Sequence, residues 1–175
     1  MNLANITRLH NITSSVAFMR RIIALVEDYS HKRKVFNFYL SQQPLHIVAF
    51  SKMKCILEGN FLLLLQLVKM QNKLETNSNY KNKDIFRMLL PIGKAFVGRC
   101  SEEVCIEGMQ CFGGVGYMEN SHIPVILRDT IVTSIWEGTI NVLSFDFIKV
   151  KKSVSQSYQQ LLEKIEKRFN LMYIL

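Results

Sequence analysis

The chain has 175 residues, 49% of them apolar and 21% charged, which is enough for one globular domain with a real core and too apolar for a disordered segment. Basic residues outnumber acidic ones 22 to 14, a net charge of +8, and the excess gathers at Lys149, Lys151, Lys152, Lys164, Lys167 and Arg168 against only Glu163 and Glu166 in the same stretch. The four cysteines form no C-x-x-C and the four histidines no H-E-x-x-H, so the composition argues against zinc or iron–sulfur chemistry and for reduced thiols in an intracellular protein.

The N-terminus lacks a charged segment followed by a hydrophobic core. The most apolar stretch, Leu62 to Leu65, is bracketed by Glu58 and Lys69, too short for the roughly 20 residues that span a bilayer. A soluble chain with no membrane span is expected. From residue 5 to about 29, Ile6, Leu9, Val16, Met19, Ile23 and Val26 recur at three- and four-residue steps, the spacing of one buried helical face. A basic and aromatic link over residues 30–43 precedes Pro44, well placed at the first position of a second helix. Met53, Ile56, Leu57, Phe61, Leu64 and Val68 carry that helix to about Lys73. The polar run over residues 75–80 is a turn-rich break. A third helix is expected from about Asp84 to Phe112, with a kink near Pro91 or a late start. A fourth runs from about Trp136 to Val150, and a shorter, more polar fifth over residues 155–169 has an apolar edge at Leu161, Leu162 and Ile165. No strand pattern emerges. The count and the short connections predict an all-α fold, an antiparallel four-helix bundle over residues 1–150 with a short extra C-terminal helix in a basic tail over residues 151–175.

Two stretches between the third and fourth helices stand out: Gln110-Cys-Phe-Gly-Gly-Val-Gly-Tyr117 and Ser134-Ile-Trp-Glu-Gly-Thr-Ile-Asn141. They read as a backbone turning sharply between two helices. Gly113, Gly114 and Gly116 fit a helix C-cap and equally an anion cradle, since glycine lets main-chain N–H groups approach a phosphate. A dinucleotide fingerprint is excluded, because no glycine follows at the last position and a helical pattern stands where a strand should precede. Ser134-x-x-Glu137 reads as a capping box; a glutamate beside apolar Trp136 also reads as a carboxylate base held partly out of water. Spacing does not choose between the two.

The run from Gln110 to Asp146 (Q-C-F-G-G-V-G-Y, then L-R-D-T, then S-I-W-E-G-T-I-N-V-L-S-F-D) resembles the C-terminal helical domain of the acyl-CoA dehydrogenase family, whose pattern is Q-x-x-G-G-x-G-[YF], R-D and [YW]-E-G-T. Arg33-Lys-Val-Phe36 and Gln42-Gln43-Pro44-Leu45 resemble the segment between that domain's first two helices. The four blocks cover roughly residues 1–150 in the family's order. Trp136, the Gln-Gln-Pro-Leu and the Ser-Phe-Asp look closest to the branch of the bacterial alkylation-response flavoprotein.

The resemblance implies an FAD enzyme that oxidises fatty acyl-CoA thioesters at the α,β bond. Glu137 takes the place of the base that removes the α-proton. Gln110, Gly113, Gly114 and Gly116 take the place of groups touching the FAD of a neighbouring subunit. Thr139 stands for a flavin-phosphate contact, Arg33 for an arginine meeting FAD across the dimer, and Phe36 for an aromatic packed on the cofactor. Asn141 stands where a longer glutamine is usual, Val35 where many members carry a hydroxyl, and Asn37 where they carry glycine. Partners implied are an acyl-CoA substrate and a homo-oligomer or complementary subunit; the location implied is mitochondrial. Family enzymes place two further domains before this bundle, so the chain by itself is expected to be inactive. Two alternatives remain: a bundle serving only in assembly, and a DNA-associated flavoprotein fragment using the tail from Lys149 to Arg168. Most such basic runs are a solvated helix face, and only Tyr158 interleaves with this one.

Overall fold

A computed structural model describes residues 3–77, 79–153 and 155–172. Helix α1 spans Leu3–Lys32, α2 Pro44–Thr76 and α3 Lys83–Cys111. A single turn α4 (Gly114–Tyr117) then leads to α5 (Ile123–Ile135), α6 (Ile140–Ser153) and α7 (Ser155–Met172). The architecture is the expected antiparallel helical bundle. Helix α3 is its hub, packing on α1, α2, α5 and α6, with α7 laid against α3 and α6.

The α1 stripe is buried as its spacing requires, with Val16, Met19, Ile23 and Val26 in the core beside Ile12 and Ile22. Ile6 and Leu9 at its start are half-buried. Helix α2 differs in phase. Met53, Leu64, Leu67 and Met70 point inward while Phe61 and Val68 are exposed. The inward face includes Asn60, whose Nδ2 donates to the Ile56 carbonyl (2.7 Å), and the outward face carries Leu45, Val48, Leu62 and Leu65. A helix apolar on both sides offers no unique stripe to read. Helix α3 begins at Lys83 and continues past Pro91, so the proline lies two turns inside rather than at a late start.

The largest departure lies between α3 and α6. The two glycine-bearing stretches do not form one turn, because α5 stands between them. Its sequence, Ile-Pro-Val-Ile-Leu-Arg-Asp-Thr-Ile-Val-Thr-Ser-Ile, is dense in β-branched residues, which lower helix propensity. The cue was Pro124 in its first turn, where a missing N–H costs nothing. The fourth place in the bundle is therefore shared between α5, which packs on α1 and α3, and α6, which packs on α3. A two-residue hairpin also interrupts the helices: strand β1 (Lys34–Val35) pairs antiparallel with β2 (Phe38–Tyr39).

Candidate functional site

Two clusters lie at different levels along α3, one past its C-terminal end and one beside its middle. The first forms where the hairpin meets the glycine turn. Tyr29 near the end of α1 packs against Phe112 just past α3, ring centroids 4.8 Å apart, and this contact draws the residues that follow each of them together. A groove of about 410 Å³ results, lined among others by Tyr29, Arg33, Val35, Gln110, Gly113 and Gly114. The Arg33 side chain is exposed and makes no hydrogen bond or ion pair among the described residues. Gly113 has φ +59° and ends α3 by donating its N–H to the Gln110 carbonyl (2.9 Å). A Cβ on Gly113 or Gly114 would meet open space, so the groove stays open beside both glycines, although the Gly113 N–H is already given to Gln110. Gly116 is different: it is buried, and a Cβ there would overlap the Met109 carbonyl oxygen. Its role is to let the turn fold back on α3.

Phe36 is not in the groove lining. It stands at the tip of the hairpin, 86% exposed, with φ +52° beside Asn37 at φ +67°. Two positive φ values in a two-residue hairpin loop mark a type I′ turn. Asparagine tolerates that conformation and explains how Asn37 can replace a glycine. A phenylalanine does not, and its strain is retained with the ring turned outward. The two glutamines before Pro44 brace this hairpin: Gln42 Oε1 accepts from the Tyr39 N–H (2.9 Å) and Gln43 Nε2 donates to the Val35 carbonyl (3.3 Å).

The second cluster is the turn between α5 and α6. The capping box is not formed. Ser134 belongs to the last turn of α5, and its Oγ is buried without a partner among the described residues. Helix α6 starts only at Ile140, with the Thr139 carbonyl accepting from the Leu143 N–H (3.0 Å). Glu137, freed from capping, is exposed and left-handed at φ +58°, followed by Gly138 at φ +107°. Trp136 beside it is 63% exposed. Thr139 and Asn141 line a cavity of about 290 Å³ with Arg99, Glu102 and Ser134.

Sequence reasoning missed what holds this turn. Lys94 Nζ donates to the carbonyls of Ser134 (3.0 Å) and Gly138 (2.7 Å). Asn11 Nδ2 donates to the Trp136 carbonyl (3.4 Å) and Arg8 Nε to that of Glu137 (3.5 Å). Arg8 is itself anchored on Asp146 Oδ2 (2.6 Å), which with Oδ1 also receives Arg87 at 3.1 and 2.8 Å. Burial opposes ionisation of Asp146, yet the hydrogen bonds from Arg87 and then Arg8 outweigh it and hold the carboxyl below its ordinary range. The detectable signal was Lys94 on the core stripe of α3, between buried Leu90 and Val97. Lysine at a core position needs a reason.

The two clusters are not brought together. Lys94 under one and Gln110 at the other lie sixteen residues apart on α3, about 24 Å at the helical rise. Among the described residues no group of acidic, histidine or cysteine side chains could hold a metal ion, and no helix is long and apolar enough to cross a membrane. The cysteines are free.

A bundle of this topology with this turn defines a family. Residues 1–148 match the family model of the acyl-CoA dehydrogenase C-terminal domain, and the chain belongs to that family. It is 42% identical over 153 residues to acyl-CoA dehydrogenase family member 11 of Caenorhabditis elegans, covering 85% of this chain and 24% of that protein. It is 31% identical over 163 residues to the putative acyl-CoA dehydrogenase AidB of Escherichia coli, covering 93% and 30%, which agrees with the alkylation-response resemblance. The crystal structure of Caenorhabditis elegans ACDH-11 in complex with C11-CoA superposes with a TM-score of 0.86 at 38% identity, covering 92% of this chain and 28% of that one. The chain thus spans about a quarter to a third of the length of these relatives.

Proposed function

We propose that this chain is the C-terminal domain of an FAD-dependent acyl-CoA dehydrogenase that introduces an α,β double bond into fatty acyl-CoA thioesters. The observation that carries this reading is the groove in which Arg33, Gln110, Gly113 and Gly114 converge from two distant stretches. An exposed guanidinium with no partner among the described residues, on a groove that the open glycine turn also lines, suits a pyrophosphate. Phe36, held outward, offers an apolar face to the same cofactor. Thr139 and Asn141 at the start of α6 offer a hydroxyl and an amide where the helix dipole favours a phosphate. The FAD, when bound, supplies the acceptor for the β-hydrogen as hydride. Glu137 does the protein's share of the chemistry, taking the α-proton on a carboxylate oxygen from a turn whose backbone is pinned on four carbonyls.

Lys94 beneath the Glu137 turn and Gln110 at the glycine turn lie about 24 Å apart along α3, and in this reading each chain contributes to two cofactor sites, one through the glycine turn and hairpin and one through the Glu137 turn. That arrangement requires a second copy or a complementary subunit, and the exposed apolar face of α2, with Leu45, Val48, Leu62 and Leu65, supports association. The C11-CoA bound by the solved relative supports the substrate class. A mitochondrial location rests on the family resemblance. The DNA-associated alternative gains no support from the tail, where Lys151 lies over the Tyr158 ring at 4.5 Å. With Glu137 and Trp136 open to solvent, this chain alone has no walls to position a substrate and is inactive by itself.

Fluorescence titration of FAD into the purified chain, with size-exclusion chromatography on the same sample, tests the groove. The expected result is saturable binding by an oligomer, weakened about 10- to 100-fold by Arg33→Ala, the worth of one or two charge-assisted hydrogen bonds. Binding untouched by the variant would refute the groove. Acyl-CoA oxidation with added FAD and an artificial acceptor should not exceed a Glu137→Ala control; turnover above it would sink the claim of inactivity.

A further inference from the structure

The Glu137 turn presents a supply problem in hydrogen bonds. Helix α5 ends at Ile135, so the carbonyls of its last turn lose their intrahelical donors, and the positive φ at Glu137 and Gly138 prevents the chain from continuing the helix to satisfy them. One side chain answers for both ends of the turn. Lys94, 2% exposed and among the largest fully buried side chains, reaches Ser134 O and Gly138 O with a single atom. The approach is close, since a Cβ on Gly98, one helical turn along α3, would stand 2.7 Å from Ser134 Oγ. Burial disfavours the ammonium and brings its pKa down to about 8; the Arg8 charge pushes the same way, while the Glu137 and Glu102 carboxylates push back. Asp146 at this end is committed to Arg8 and Arg87, and Arg99 in the adjoining cavity to Glu102. A neutral donor would have avoided the cost of a buried cation. What a lysine adds is reach, two donors on one atom, and a positive charge coupled to the Glu137 carboxylate.

We propose that Lys94 is the positioning residue of the Glu137 turn: by bridging Ser134 O and Gly138 O from within the core it holds Glu137 in its left-handed backbone state and so fixes where the carboxylate stands. The inference rests on the reading of Glu137 as the proton-abstracting base. The bridge spans the carbonyls four residues apart that bracket Glu137, so its loss frees the turn without opening α1 or α2.

The test uses the full chain and needs no turnover. In Lys94→Met, which keeps the length and the apolar stem, hydrogen exchange of the Trp136 and Leu143 amides, bonded to Val132 O and Thr139 O in the wild type, should accelerate about tenfold or more. Amides in the middle of α1 and α2 should not change. Uniform acceleration, the signature of a merely structural core residue, or no acceleration would overturn the proposal. A second measurement serves where Met unfolds the chain: the Lys94 amine, followed by NMR, should titrate below about 8 in Glu137→Gln, because a carboxylate that raises its pKa is gone. An unmoved midpoint would also overturn it. Failure of the base reading looks different. Glu137→Gln would then leave acyl-CoA oxidation by the assembled flavoenzyme intact while the exchange response to Lys94→Met persisted.

Discussion

Asp146→Asn should loosen the end of the bundle that carries the Glu137 turn, and its cost can be worked from the geometry. The carboxylate ties α1 to α3 and α6 through Arg8 at 2.6 Å and Arg87 at 2.8 Å. Removing one partner of a buried ion pair costs about 3–5 kcal/mol, mostly the penalty of the charge left behind. The Asp146 side chain is 20% exposed and that of Arg87 33%, so solvent softens the loss to about 2–3 kcal/mol at pH 7. For a chain of this size that is a fall in Tm of about 8 °C. The pH dependence follows from the direction of the shift. The folded carboxyl titrates below its ordinary value of 3.8, so the stabilisation is fully present above that value and is lost as pH falls through the lower folded one. Urea unfolding of wild type and variant at pH 7, 5, 4 and 3 should show a gap that is constant from 7 to 5 and closes toward 3. A gap below about 0.5 kcal/mol at pH 7, or one that persists unchanged at pH 3, would refute the reasoning.

Two further substitutions separate the parts of the first cluster. Gly116→Ala drives a methyl group into the Met109 carbonyl, a backbone atom that cannot step aside, and should cost about 2 kcal/mol or more while weakening FAD binding; an unchanged urea midpoint would contradict it. Phe36→Gly removes a left-handed aromatic that buries little within the chain, so the chain alone should gain about 0.5 kcal/mol net of the extra backbone entropy of glycine. The same variant should lose FAD affinity or oligomer, and a loss of stability instead would show that the ring packs internally.

How much of this was legible depended on whether a residue's neighbours in sequence are its neighbours in space. The α1 stripe was readable because Val16, Met19, Ile23 and Val26 share one face of one helix. Phe61 and Val68 were misphased because α2 is apolar on its outer side too, and an outer apolar side is information about a partner rather than about this core. The capping box failed for a similar reason. Serine and glutamate three apart look alike before a helix and across the end of one, and only the start of α6 at Ile140 tells the two apart. Arg33 and the glycine turn were each visible as motifs, yet nothing local says that Tyr29 meets Phe112 and closes the groove between them. Lys94 was detectable as a lysine on a core stripe, but its role, like those of Arg8 and Asn11, was not legible, since their partners are backbone carbonyls of a distant turn.

The placement of backbone strain connects these observations to function. Among the described residues, non-glycine residues with positive φ are Phe36, Asn37, His122 and Glu137. Such conformations cost of order 1–3 kcal/mol each and persist where the surroundings over-determine them. Asn37 adopts its state readily. Phe36 and Glu137 do not, and each sits where glycine would relax the backbone with no loss of packing, since both side chains are exposed. Each is also braced from outside its own turn, Phe36 by Gln42 and Gln43 on the hairpin backbone and Glu137 by Lys94, Asn11 and Arg8. Buried Lys94, Asn11 and Arg8 thus keep an exposed carboxylate in a strained position, and Gln42 and Gln43 do the same for an exposed ring, as the roles proposed for Glu137 and Phe36 require. The isolated bundle therefore carries the strain, and a bound cofactor, substrate or second subunit is where its compensation has to be sought.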